Sequence, residues 1–123
     1  MSFLRAHLEH FLKACRFSLS GLRIAFQDEI AFRQILCWLA LAFILSSFLA
    51  ESWTEFILLI LPPCISVMVE LLNTAVENVV DLVQPQWHRL AKKAKDTASA
   101  AQFFSQLLSA VVWLSFLVHK FMF

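Results

Sequence analysis

One glycine, Gly21, occurs in 123 residues, and there is no tyrosine. The shortage of glycine excludes whole classes of function. A P-loop, a dinucleotide-binding fingerprint and a kinase glycine-rich loop each need two or more glycines. Hairpin turns and barrel bends are equally undersupplied. Charge is scarce as well. Asp, Glu, Lys and Arg make up 15% of the chain, against about 25% in an ordinary soluble domain. A formal net charge of +1 lacks the clearly basic face that a nucleic-acid partner requires. Cys15, Cys37 and Cys64 are odd in number and form no CxxC pair, so they read as buried free thiols rather than a disulfide framework or a zinc site. Residues 1–34 carry charges throughout, which excludes the apolar core of a cleavable signal peptide.

What the chain has in excess is hydrocarbon. Hydrophobic residues form 60% of it, with 13 Phe and 4 Trp, and the mean hydropathy is +0.73. Such a composition describes an all-α integral membrane protein, a single membrane domain over residues 1–123. Residues 3–27 read as an amphipathic helix. Leu4, Leu8, Phe11, Cys15, Leu19, Leu22 and Phe26 recur at spacings of three and four, opposite Arg5, Glu9, Lys13, Arg16, Ser20, Arg23 and Gln27. An apolar stripe facing a mainly basic one suits a helix lying in the membrane interface. A soluble-type helix packed on a partner is the alternative. Gly21 interrupts the pattern and argues against a straight helix there.

Three apolar segments follow, at Ile35–Ala50, Phe56–Val69 and Ala98–Val118. A membrane span needs about 20 residues, and borrowing flanking residues gives spans near 31–50, 53–83 and 98–119. The second keeps its helical period beyond Val69, so it starts in the membrane and emerges into water. Pro62 and Pro63 in its middle should kink it, because the hydrogen bonds behind them are lost. The positively charged residues orient the spans. Nine of the ten Lys and Arg precede span one or lie in the 81–97 loop, and only Lys120 follows span three. The N-terminus and the 81–97 loop are therefore expected on the cytoplasmic side of a bacterial inner membrane, with the 50–55 loop outside.

The segment that can carry chemistry is Glu70-Leu-Leu-Asn73-Thr-Ala-Val-Glu77-Asn-Val-Val-Asp81. At about 100° per residue, Glu70, Asn73, Glu77 and Asp81 fall within an arc of about 80° on one helix face. Three like charges one or two turns apart repel one another. No Lys or Arg occurs between Phe56 and Trp87 to compensate them. The stripe therefore needs cations from elsewhere, as basic side chains or bound metal. A solvated face serves for Asp81. It does not serve for Glu70, which directly follows an apolar run, where an ionisable side chain is a functional candidate. A poorly solvated carboxylate takes up a proton readily and suits the role of a base toward a hydroxyl. Glu77 lies further toward water, where a hard divalent cation such as Mg²⁺ prefers carboxylate oxygens and bridges to phosphates. Glu29, in the Asp28–Gln34 connection, could close such a site. Lys92, Lys93 and Lys95 could neutralise phosphate, and Asp96 could accept a hydrogen bond from a sugar or base. A lysine run at this position also serves topology alone. His7, His10, His88 and His119 show no convincing ligand spacing and read as surface or interfacial residues. Ala101, Ser105 and Ser109 form a small-residue row suited to close helix packing. Three spans and a surface helix are few to enclose a polar site, which implies a homo-oligomer with the site near a subunit contact.

The twelve-residue segment resembles the signature of the prokaryotic diacylglycerol kinase family, roughly E-x-x-N-[ST]-A-[IV]-E-x-x-V-D. Gly21-Leu22-Arg23, Ala31-Phe32-Arg33-Gln34 and Ala94-Lys95-Asp96 also look like motifs of that family, and the likeness runs nearly end to end. The resemblance implies a membrane homotrimer, three spans with an N-terminal surface helix, that moves the γ-phosphate of MgATP onto the hydroxyl of diacylglycerol to give phosphatidic acid. It implies Glu70 as the base and Asn73 as the group orienting the constellation. Glu29 and Glu77 would hold Mg²⁺. Phe17, Gln86, Trp87, His88, Lys95 and Asp96 would contact ATP. Arg23, Ala31, Phe32, Arg33, Ser99 and Trp113 would join Glu70 around the lipid. Departures from the family pattern fall at His10, Phe17, Ser20 and Ile35 and bear on the early-helix contacts. A sister branch acting on undecaprenol, a small transporter using intramembrane carboxylates, and a scaffold whose acidic stripe binds a basic partner are the competing readings.

Overall fold

The computed structural model describes residues 2–123. Four helices follow one another: α1 (Ser2–Asp28), α2 (Ile30–Leu49), α3 (Trp53–Val83) and α4 (Arg89–Met122). No strand occurs among the described residues. The chain divides into a unit ending at Ile30 and a second unit of Ala31–Phe123.

The first unit is α1. It runs through Gly21 without interruption, at an ordinary helical φ and with open space where a Cβ would sit. Gly21 is thus neither a bend nor a packing requirement. Arg5 Nε pairs with Glu9 Oε1 at 3.2 Å, one turn apart on the polar face. Leu4, Leu8, Phe11 and Leu19 on the opposite stripe are exposed, as an interfacial helix needs.

In the second unit α2, α3 and α4 are each long and apolar enough to cross a membrane. Their outward residues, among them Phe43, Ile44, Leu58, Phe103, Phe104 and Leu114, are large, apolar and exposed, a surface that only hydrocarbon covers comfortably. The three cysteines are free, but none is buried: Cys37 is exposed and Cys15 and Cys64 are half-buried. In a membrane helix an apolar residue needs no protein cover, which is why the expectation of buried thiols fails.

Ala42, Leu59 and Trp113 form the core, joined by Trp38, Leu45, Ile60 and Phe116. Short connections hold the helices side by side. Ser52 caps α3 by accepting from Glu55 N at 3.2 Å, which satisfies an amide that the first turn leaves open, while Glu55 Oε2 accepts from Glu51 N, just before the cap, at 2.8 Å. Lys120 Nζ meets Glu51 Oε1 at 2.6 Å and ties the far end of α4 to this turn.

The prolines leave α3 helical throughout. Both are buried. Pro63 has no N–H to offer the carbonyl of Leu59, four residues back. That carbonyl instead accepts from Trp113 Nε1 of α4 at 3.0 Å. In hydrocarbon an orphaned carbonyl would be costly, and the indole of the neighbouring helix removes the cost.

Candidate functional site

The carboxylate stripe lies on α3 as its periodicity requires, and its members differ steeply in burial. Glu70 is 4% exposed. Asn73 and Glu77 are half-buried, and Asp81 is exposed. The stripe therefore runs from hydrocarbon-like surroundings into water within about three turns. Asn73 Nδ2 donates to Glu77 Oε1 at 3.4 Å, one turn along the same face. The other half of that amide, Oδ1, is buried and accepts nothing among the described residues. A buried carbonyl oxygen without a donor is expensive unless something positive approaches it. Together with the Glu77 carboxylate it offers the hard oxygen ligands that Mg²⁺ selects. Among the described residues no three His, Cys, Asp or Glu side chains converge as a closed metal cage.

Beyond Glu77 the α3–α4 connection closes a second element of the site. Asp81, Gln86, Trp87, His88, Lys95 and Asp96 line a cavity of about 370 Å³. Lys95 Nζ sits 2.9 and 3.1 Å from the two carboxylate oxygens of Asp81. The cation missing from α3 thus comes from α4, and Asp81 is its partner rather than a merely solvated charge. Lys92 pairs with Asp96 across one turn of α4. His88 Nδ1 accepts from Leu90 N at 3.2 Å and caps α4. Histidine is not among the usual capping residues, so nothing in the sequence signalled this use. Gln84 Nε2 donates to the backbone oxygen of Gln86 and braces the turn. The arrangement is a polar cup, open to water and lined by both signs of charge, at the end of the carboxylate stripe.

The remaining candidates divide between the two units. Phe17 and Arg23 of α1 are exposed, and Glu29 is half-buried at the junction that ends α1. In the second unit Ala31 is exposed, Phe32 is 1% exposed and Arg33 is half-buried. Ser99 lies on α4 just past the lysines and is exposed. Trp113 is buried deep in the helix pair. It belongs to a separate cavity of about 410 Å³ whose wall also includes Ala31, Gln34, Trp38, Ser66 and Ser109. Trp38 meets the Trp113 ring edge-on at 5.5 Å and donates its Nε1 to Ser109 Oγ at 3.0 Å. Ser66 Oγ in that wall and Gln102 Nε2 are buried without a partner among the described residues.

Comparison with known proteins addresses the family of the chain. The family model described as prokaryotic diacylglycerol kinase matches residues 16–117. A Helicobacter pylori protein named diacylglycerol kinase is 42% identical over 110 residues, covering 89% of this chain and 86% of its own. Haemophilus influenzae has one of the same name, 41% identical over 107 residues, covering 86% and 90%. The Escherichia coli K12 protein of that name is 35% identical over 102 residues, covering 83% and 84%.

Proposed function

Because the chain belongs to the prokaryotic diacylglycerol kinase family, we propose that it is an ATP-dependent lipid kinase that converts diacylglycerol to phosphatidic acid, with its reacting groups on α3. The observation that carries the proposal is the gradient along one helix face. A buried carboxylate, Glu70, stands one to two turns from the Asn73–Glu77 pair and then from the charged cup. A lipid hydroxyl reaches protein from the hydrocarbon side and a nucleotide from the water side. This face is where the two can meet.

Glu70 accepts the proton of the lipid hydroxyl as that oxygen bonds to the γ-phosphorus of ATP. The bond between the γ-phosphorus and the β–γ bridging oxygen breaks, and ADP leaves with that oxygen. Positioning and charge neutralisation dominate phosphoryl transfer, and the chain provides both without glycines. Mg²⁺ brought with ATP would supply neutralisation of phosphate charge; Glu77 and Asn73 Oδ1 of α3 would hold it, and the family resemblance implies Glu29 as a further ligand. Asn73 holds Glu77 in orientation through the 3.4 Å hydrogen bond. Lys95 faces the phosphates, exchanging Asp81 for them. Gln86, Trp87, His88 and Asp96 surround the base and sugar, and the family resemblance implies Phe17 as a further nucleotide contact. Ala31, Phe32, Arg33 and Ser99 border the lipid headgroup and Trp113 its hydrocarbon, and the family resemblance implies Arg23 as a further lipid contact. The enzyme sits in the inner membrane with the cup facing the cytoplasm, where ATP is found. It works as a homotrimer. Three spans and a surface helix are few to enclose a polar site, which supports that assembly.

Purified protein in lipid vesicles, given MgATP labelled in the γ-position, should transfer label to diacylglycerol in preference to undecaprenol. Absence of transfer to either lipid sinks the proposal. Solute flux without phosphorylation would favour a transporter, although carboxylates gathered at one end of α3 do not line a path across a membrane.

A further inference from the structure

We propose that Pro63 is a positioning residue for the lipid tail: by leaving the Leu59 carbonyl without its helical donor, it provides the acceptor that fixes the Trp113 indole. The proposal rests on the reading of this chain as a lipid kinase only where it concerns the tail.

The physical argument starts from the backbone. In an uninterrupted helix the Leu59 carbonyl would accept from the amide of residue 63. Proline there removes the donor, and its ring crowds the same carbonyl, tilting it off the helix axis. Leu59 and Pro63 are both essentially inaccessible to water, so no solvent molecule can take the place of that donor. Among the described residues the donor that replaces it is Trp113 Nε1, at 3.0 Å. The hydrogen bond fixes one edge of the indole, and the Trp38 ring, itself anchored to Ser109 Oγ, bounds it from the side. What remains of the Trp113 surface faces the cavity of about 410 Å³.

Depth gives this anchor a function. Ser99 and Trp113 lie on the same helix, 14 residues apart, or about 21 Å at 1.5 Å per residue. A lipid whose headgroup is beside Ser99 can therefore meet Trp113 only with its hydrocarbon. An indole held in one orientation at that depth sets where the cavity ends, and so which acyl lengths fit. Pro62 provides an internal contrast. Its missing donor concerns the carbonyl of Leu58, a residue that is 55% exposed, and not the carbonyl that holds Trp113.

The test compares Pro63→Ala, Pro63→Val and Pro62→Ala in the full-length protein labelled with ¹⁵N-tryptophan. The Trp113 indole resonance is assigned by its loss in Trp113→Phe. Both Pro63 variants restore the amide, and Val also restores most of the volume. They should shift the Trp113 indole resonance and speed its hydrogen exchange severalfold. Pro62→Ala should leave both as in the parent. In vesicles the Pro63 variants and Trp113→Phe should change the ratio of kcat/KM between long-chain and short-chain diacylglycerol, with the KM for ATP unchanged. An unmoved indole resonance in both Pro63 variants, or an equal shift in Pro62→Ala, overturns the proposal. So does a shifted indole with unaltered chain-length preference. Failure of the parent protein to phosphorylate diacylglycerol would instead overturn the kinase reading, and the indole spectra would still decide whether Pro63 controls the Trp113 anchor.

Discussion

The middle of the α3–α4 pair and its charged end are built from the same two helices, yet they are held by opposite kinds of interaction. In the middle the ties are neutral and wholly or partly buried: Trp113 to the Leu59 carbonyl, Ser105 to Gln102, and Trp38 of the adjoining α2 to Ser109. At the end the ties are ionic and wet: Lys95 with Asp81 and Lys92 with Asp96. Hydrocarbon offers no competing partner, so a buried neutral hydrogen bond there fixes geometry. Water and salt compete with an exposed ion pair, so each contributes little to stability. A pair that is easily exchanged is what a site needs if a phosphate is to replace Asp81 at Lys95. The ties are dry and neutral in the middle and wet and exchangeable at the end, and Glu70 is the buried carboxyl group at the seam.

The sharpest way to break this contrast is to neutralise the seam. Glu70→Gln should lower turnover by roughly 10²–10⁴-fold, the usual contribution of a positioned base, while ATP binding and the fold persist. Retained turnover would remove Glu70 as base. A smaller effect is expected at the wet end. Lys95→Met should raise the KM for ATP and leave the KM for lipid unchanged, and rising salt should do the same to the parent enzyme without lowering its thermal stability. A matching loss of stability with salt would mean that the exposed pairs are structural after all. The dry middle should respond in the opposite way. Trp113→Phe leaves the Leu59 carbonyl orphaned and should destabilise the protein by about 1–2 kcal/mol in thermal or denaturant unfolding in micelles, with the KM for ATP unaffected.

The smallest expected effect belongs to the turn before α3. There the Lys120 hydrogen bond, and then its charge, hold the Glu51 carboxyl below its ordinary range. A lowered folded value means that the pair contributes fully above the ordinary carboxylate range and is lost as pH falls through the depressed one. Glu51→Gln should abolish that small acid dependence of stability and leave activity unchanged, as a pair at the opposite end from the cup must.

Much of this was readable from residue spacing. Runs of apolar residues without charge required the spans, and the three-and-four spacing of Glu70, Asn73, Glu77 and Asp81 required a single stripe. The burial gradient along the stripe followed from its position after Val69. Contacts between helices were not readable. The pairing of Lys95 with Asp81 depends on how far the 84–88 turn rotates α4, and spacing within one helix does not carry that. The Leu59–Trp113 bond uses a backbone carbonyl, which has no identity in a sequence. A Pro-Pro pair there announces only that a donor is missing, not what replaces it. His88 as a cap and Cys37 as an exposed thiol were likewise hidden, the first because imidazole rarely caps and the second because lipid-facing and buried positions have the same composition.

In the proposed mechanism a buried helical carboxylate, rather than a glycine loop, marks the point of phosphoryl transfer. The most direct measurement follows γ-labelled ATP and diacylglycerol in vesicles containing either the parent protein or Glu70→Gln, with MgATP binding recorded on both. Labelled phosphatidic acid from the parent, and almost none from Glu70→Gln at equal ATP binding, is the predicted result. Equal transfer by the two, or none by the parent, would contradict it.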